Sequence, residues 1–325
     1  MAVSRARTAA DLGVPETFNA AAHFVDRHAA EGRAAKVAIE CGDNRVTYGE
    51  LFERVNRCGS ALRDTLGVRP GERIVLLLLD TPEFAAAFFG AIKIGAVPIP
   101  TNTLWKPADC RHVLRDSDAA VALVSEALLP QLEAIAREDV PALRHVVVAG
   151  PSPLPAHYRS FAALLATGSP GLDAHPTHRD APAFWLYSSG STGAPKGCVH
   201  LHHDMVVCAE LFAKGVLGIT AEDRCFSVAK LFFAYGLGNA LYFPLAVGAT
   251  SILMPGLPAP ARVYEVIERH RPTLFFSVPT GYGMLLAHGG DFDLSSVRLA
   301  VSAGEALPAS LYERFKQRFG IDILD

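Results

Sequence analysis

The run Tyr187-Ser188-Ser189-Gly190-Ser191-Thr192-Gly193-Ala194-Pro195-Lys196-Gly197 gathers hydroxyl side chains, glycines and one lysine directly behind the apolar stretch Ala183-Phe184-Trp185-Leu186. Such a composition suits phosphate. Glycines let backbone N–H groups turn towards an anion without a Cβ in the way, Ser188, Ser189, Ser191 and Thr192 add donors, and Lys196 supplies positive charge, while Gly190 and Gly193 permit the fold of the loop. A polyphosphate is the natural ligand, held at its β- and γ-phosphates. Lys196 is followed by Gly197 rather than Ser or Thr, so this is not the Gly-Lys-Ser/Thr nucleotide loop, nor is it the Gly-x-Gly-x-x-Gly of dinucleotide folds. By composition alone a flexible Ser/Gly linker is the plain alternative. It explains neither a lysine behind Pro195 nor the run His200 to Val207, which reads as a helix resuming at once with Asp204 in its first turn.

A second set of residues suits a flat apolar ligand. Phe233 and Tyr235 offer ring faces that line one side of a narrow pocket, and the small Ala234, Gly236 and Ala303 leave room for an aromatic ring. Ordinary core packing is the alternative for these aromatics. His200, His202 and His203 fall within four residues and invite a metal reading. Residues i and i+2 of a helix do not face one another, however, and no Cys or carboxylate cluster completes a ligand set, so no protein metal site is expected.

These residues need a scaffold, and 325 residues, half of them apolar, can bury a large core. A net charge of −3 with acids and bases interspersed favours small-molecule partners over nucleic acid or a membrane surface. The six cysteines include no C-x-x-C pair and suggest buried free thiols in a reducing compartment. Neither an apolar signal region nor a run of the ~18 apolar residues that a span requires is present, so a soluble, cytoplasmic protein is expected.

Along the chain, a hairpin of Val37–Glu40 and Arg45–Thr47 precedes a helix opened by the capping pair Thr47 and Glu50. Continuous apolar strands at 74–79, 97–99, 120–124 and 144–149 alternate with helices at 84–94 and 126–137, and strands near 225–228, 250–254, 274–278 and 299–302 alternate with helices at 231–243, 261–270 and 310–319. Such alternation predicts α/β architecture, with two parallel-sheet subdomains flanked by helices, at residues 1–170 and 171–325.

The loop with Lys196-Gly197 and the following His202, the segment Leu231 to Gly238 and the segment Ser302-Ala303-Gly304-Glu305-Ala306-Leu307 together resemble the adenylate-forming superfamily of acyl-CoA synthetases, luciferases and peptide-synthetase adenylation domains. Within it, Phe232 to Asn239 and Gly197 to Met205 are most similar to benzoate-CoA ligases and their hydroxybenzoate and aminobenzoate relatives. The resemblance implies the fold of an acyl-CoA synthetase N-terminal domain. It also implies a two-step reaction, in which a carboxylate attacks the α-phosphate of Mg-ATP to give acyl-AMP and pyrophosphate and CoA then displaces AMP. ATP, Mg²⁺ and CoA are the implied cofactors and co-substrate, and an aromatic acid, benzoate first, is the implied substrate.

By the same resemblance Lys196 and His202 act in catalysis, Gly304, Glu305 and Ala306 contact adenine, and Phe233, Ala234, Tyr235, Gly236 and Ala303 line the acyl pocket. For Glu305 a helix-start charge stays open. The family's next segment, Gly-Ser-Thr-Glu, is expected just after Asp325, and the small C-terminal domain with its catalytic lysine is absent, so weak or no activity is expected of residues 1–325 alone. A homodimer is left open. Two alternatives stand beside the ligase, namely a non-catalytic nucleotide-binding fragment and an adenylating ligase for another acid such as cinnamate or a fatty acid.

Overall fold

The computed structural model describes residues 8–188 and 193–325. Its first strands are β1 (Val37–Cys41) and β2 (Asn44–Thr47), an antiparallel hairpin. Thr47 then caps the helix Tyr48–Asp64 as the sequence predicts: its hydroxyl accepts the Glu50 N–H at 3.2 Å, and the Glu50 carboxylate accepts the Thr47 N–H at 2.7 Å.

The strands β3 (Arg73–Leu77), β4 (Val97–Pro100), β5 (Val121–Ser125), β6 (His145–Ala149) and β7 (Arg159–Ser160) form a parallel sheet in the order β4-β3-β5-β6-β7. Between β3 and β4 runs the helix Pro82–Lys93, whose side chains are almost all buried, with proline at its first position where no N–H is needed. The central strands β3, β4 and β5 and this helix are almost continuously apolar because both faces of a parallel sheet are covered.

A separate antiparallel pair follows, β8 (Pro182–Ser188) and β9 (Lys196–Leu201). The last strands are β10 (Arg224–Ser227), β11 (Thr250–Leu253), β12 (Leu274–Ser277), β13 (Leu299–Ser302) and β14 (Ile323–Leu324). They join the first hairpin in a seven-stranded sheet, β14-β13-β12-β10-β11-β1-β2, parallel except at the β1–β2 edge. Sheet membership therefore crosses the division expected at residue 170: Ile39 pairs with Ser251 and Cys41 with Leu253. Local alternation detected this hairpin but carries no information about a partner strand so distant in sequence.

Other departures have local causes. The helix expected over 126–137 is broken into Glu126–Leu128, Leu129–Glu133 and Arg137–Asp139, with Pro130 in the first turn of the middle piece. Helices at Pro107–Asp116 and Pro279–Ala287, each opening on a proline behind an extended residue, were not anticipated. Of the cysteines, all free, only Cys58, Cys110 and Cys225 are buried, whereas Cys198 and Cys208 are exposed. No helix among the described residues is long and apolar enough to cross a membrane.

Candidate active site

The carboxyl ends of β3, β10, β12 and β13 converge on a cavity of about 740 Å³. Ligand sites of open α/β sheets lie at these ends because the connecting loops are free to diverge there. The strand ends contribute Leu79 and Asp80, Val228 to Lys230, Ser277 and Val278, and Ala303 and Gly304. Phe232 to Tyr235 supply one wall, and Leu104, Leu257 and Met284, all strongly exposed, stand among the remaining lining residues.

Tyr235 is fixed rather than free. Its hydroxyl lies 3.2 Å from the Ser277 carbonyl oxygen and 3.1 Å from that of Val301, so it donates between two adjacent strands while its ring borders the cavity. Burial, with the charge of Asp325 adding to it, pushes the phenol well above its ordinary range and keeps it protonated. Phe233 is about half exposed, Ala234 is exposed, and Ala303 is half-buried. The structure thus brings Phe233, Ala234, Tyr235, Ala303 and Gly304 to one cavity. Gly304 adopts φ +93°, a backbone region in which a side chain is strained.

Gly236 is different. A Cβ there would stand 2.2 Å from the Lys230 carbonyl oxygen and 2.4 Å from that of Ala229, so the residue is glycine to let backbone lie on backbone, and it is buried outside the cavity lining. Glu305 and Ala306 are exposed beyond the lining, with Glu305 Oε1 accepting the hydroxyl of Thr280, a lining residue, at 3.1 Å.

The phosphate-loop sequence is carried by the β8–β9 hairpin. Ser188 and Lys196 are directly paired in its ladder, both exposed, and Gly193 has φ +151°. Ser189, Gly190, Ser191 and Thr192 lie outside the described residues. Side chains alternate along β8, with Ala183, Phe184 and Leu186 in the main core and Trp185 and Tyr187 packed on the core of the first sheet. The hairpin is pinned near its tip: Tyr187 donates its hydroxyl to Asp116 at 2.6 Å, and His112 Nε2 donates to the Pro195 carbonyl at 2.8 Å.

The helix expected from His200 starts later. Lys196–Leu201 is strand, and the helix begins at Asp204, whose carboxylate accepts the Leu201 N–H at 3.0 Å. The run of mixed apolar and polar residues fits either period until the ladder with β8 selects strand.

His202, expected near the acyl site, is not among the cavity residues. It is buried, its Nδ1 accepts the Ala20 N–H at 3.1 Å, and burial holds its pKa down at about 4. A neutral imidazole tying the foot of the hairpin to the N-terminal segment is a structural arrangement. His200 stacks on Phe184 at 4.6 Å, and His203 faces Asp180 and Asp204. Among the described residues no group of three or more His, Cys, Asp or Glu side chains is disposed to hold a metal.

Sequence reasoning missed Asp80 and Lys230. Both line the cavity, Asp80 buried and Lys230 half-buried, with Lys230 Nζ 3.6 Å from Asp80 Oδ2. Burial raises the Asp80 carboxyl to about 6 against the pull of Lys230, and burial lowers the lysine. The available signal was a charged residue placed where the continuous apolar run 74–79 ends.

Comparison with known proteins agrees with this geometry. The AMP-binding enzyme family matches residues 26–325. The chain is 51% identical over 316 residues to a benzoate–CoA ligase of Thauera aromatica, covering 97% of this chain and 59% of that protein. It is 42% identical to a 4-hydroxybenzoate–CoA/benzoate–CoA ligase of Rhodopseudomonas palustris, over 95% of this chain and 57% of that protein. Among solved structures, the anthranilate CoA ligase AuaEII in complex with anthranoyl-AMP superposes with a TM-score of 0.93 at 41% identity, over 98% of this chain and 60% of that one. A benzoate CoA ligase from Burkholderia xenovorans LB400 gives 0.84 at 42% identity, over 94% of this chain and 60% of that one. The chain spans about three fifths of the length of these curated relatives. With the strand-end cavity, the aromatic wall and a family match running from residue 26 to residue 325, the chain belongs to the AMP-binding enzymes.

Proposed function

We propose that the protein activates an aromatic carboxylate, benzoate first, with ATP through an acyl-AMP and passes the acyl group to CoA as a thioester. The observation that carries the substrate class is the wall of the cavity: an immobilised Tyr235 ring and the half-exposed Phe233 ring face space bordered by Ala234, Ala303 and Gly304. A flat ring gains apolar burial there at small entropic cost, since Tyr235 is already ordered. The relatives named above are ligases of benzoate, hydroxybenzoate and anthranilate. Their names give no support to a non-catalytic nucleotide-binding fragment.

In this reading the carboxylate oxygen attacks the α-phosphorus, the bond to the β-phosphate oxygen breaks, and pyrophosphate leaves. The CoA thiol then attacks the acyl carbon, and AMP leaves with the electron pair of the broken C–O bond. Attack by one anion on another requires neutralisation and alignment. Lys196 and the hydroxyls and N–H groups of the loop, Ser188 and Gly193 among them, hold the β- and γ-phosphates. Gly304 and Ala303 border the ring, with Glu305 and Ala306 beside them on the adenine side. Mg²⁺ supplies charge neutralisation on the phosphates when bound with ATP; no described residue is assigned to it.

The test is an acid panel read by AMP release, using the product of the complete reading frame. Benzoate is expected to lead. A clear preference for octanoate or acetate overturns the assignment. Tyr235→Ala is expected to raise the KM for benzoate ~10-fold or more while changing the KM for ATP little, because only acid-facing contacts are removed.

A further inference from the structure

The cavity wall is apolar apart from few groups, and the charged ones, the half-buried Lys230 and the buried Asp80, form a pair. Asp80 follows β3 in the five-stranded sheet, and Lys230 follows β10 in the seven-stranded sheet. Asp80 Oδ1 accepts the Leu231 N–H at 3.2 Å, and Lys230 Nζ donates to the Met254 carbonyl, just past β11, at 2.7 Å. Three strand ends from two sheets are thereby tied at one point.

That point is where the aromatic wall begins. The Phe233 N–H donates to the Lys230 carbonyl at 2.9 Å, and Gly236 rests against the same carbonyl oxygen. The backbone of residues 230–231 therefore sets where Phe233, Ala234 and Tyr235 stand. As a contribution to stability the pair is poor, because the desolvation of two buried charges offsets most of their attraction. Its effect is geometric, since loss of either partner leaves the other uncompensated beside the wall.

We propose that Asp80 and Lys230 are positioning residues that hold the aromatic wall over the acyl cavity and so set affinity for the acid independently of affinity for the nucleotide. This rests on the reading of the cavity as the acid site.

The experiment uses the product of the complete reading frame and begins with the wild-type acid panel. Failure of aromatic acids there fails the functional reading alone, and the variants are then compared on whichever acid is preferred, by calorimetric binding if turnover is absent. Asp80→Leu, which removes both the charge and the acceptor, is expected to raise the KM for the acid ~10- to 100-fold, with the KM for Mg-ATP within ~2-fold. Asp80→Asn retains an oxygen for the Leu231 N–H and is expected to fall between Asp80→Leu and wild type. Lys230→Arg keeps the charge and is expected to stay within ~3-fold of wild type, whereas Lys230→Met matches Asp80→Leu. If Asp80→Leu does not fold, Asp80→Asn carries the test. Parallel rises in both KM values, or an unchanged acid KM in folded Asp80→Asn and Lys230→Met, overturn the proposal.

Discussion

In the proposed function the β8–β9 hairpin and the segment from Lys230 to Val247 serve one site, with opposite constructions. The hairpin packs β8 side chains on two cores, but its tip presents Ser188, Lys196, Gly197, Cys198 and Val199 to solvent and is secured there by the ladder and by His112 and Asp116. The segment buries nearly every residue from Gly236 to Ala246 and lays its backbone directly on the chain at residues 229–230. A phosphate contact needs exposed donors that approach a hydrated polyanion, whereas an apolar pocket needs walls that cannot yield. Substitutions at the exposed tip of the hairpin should therefore alter catalysis without altering the fold, and substitutions in the segment should alter both.

The sharpest break in that comparison is Gly236→Ala. A methyl group meeting two carbonyl oxygens inside 2.5 Å forces the backbone apart, and we expect a loss of about 3 kcal/mol, seen as a fall in Tm of about 6–12 °C. An unchanged Tm would show that the segment is as compliant as the hairpin.

The foot of the hairpin provides the next test, because His202 is as buried as the segment. Its folded pKa of about 4 lies below the ordinary 6.5, so the unfolded chain binds the proton more readily between these values. The stability this group contributes is complete above pH 6.5 and is lost as pH falls towards 4. Burial holds His23 and His28 down at about 4 in the same way. His202→Asn, which keeps an acceptor for the Ala20 N–H, should remove about 2 kcal/mol of the stability lost between pH 7 and pH 4. Denaturant midpoints at both pH values measure this. A slope identical to wild type would place the proton uptake elsewhere.

Lys196→Ala sharpens the hairpin side. Loss of one charge-assisted phosphate contact is expected to cost about 1.5–3 kcal/mol in kcat/KM for ATP, with Tm unchanged. Unaltered ATP kinetics would remove the hairpin from the phosphate site.

The same contrast explains what the sequence disclosed. The loop reads as a phosphate site because its chemistry is written in consecutive residues, and the aromatic wall is visible because Phe233, Ala234 and Tyr235 are adjacent. The strands were legible because burial on both faces leaves an unbroken apolar run, as at 74–77 and 121–124. Asp80 was invisible because its partner lies 150 residues away in sequence, and the backbone that lies against Gly236 was invisible because composition shows that space is needed without showing what fills it. His202 was assigned by likeness of pattern, and only tertiary packing reveals that its ring faces Ala20. The end of the strand at 196–201, His200 and Leu201, reads as helix in the sequence because its pairing with β8 is not a local property.

The pairing of β1 with β11 also bears on how the chain is made. Val37 and Thr250, joined by a hydrogen bond at this seam, are 213 residues apart, so at roughly 5–20 residues per second the ribosome leaves the early hairpin without its partner for about 10–40 s. A two-stranded hairpin is marginal in water, and its open edge is a template for other strands throughout that interval. The sheet of residues 73–160 is contiguous in sequence and closes first; the sheet that carries the aromatic wall waits for the late strands, and its long-range closure limits how fast the nascent protein escapes aggregation.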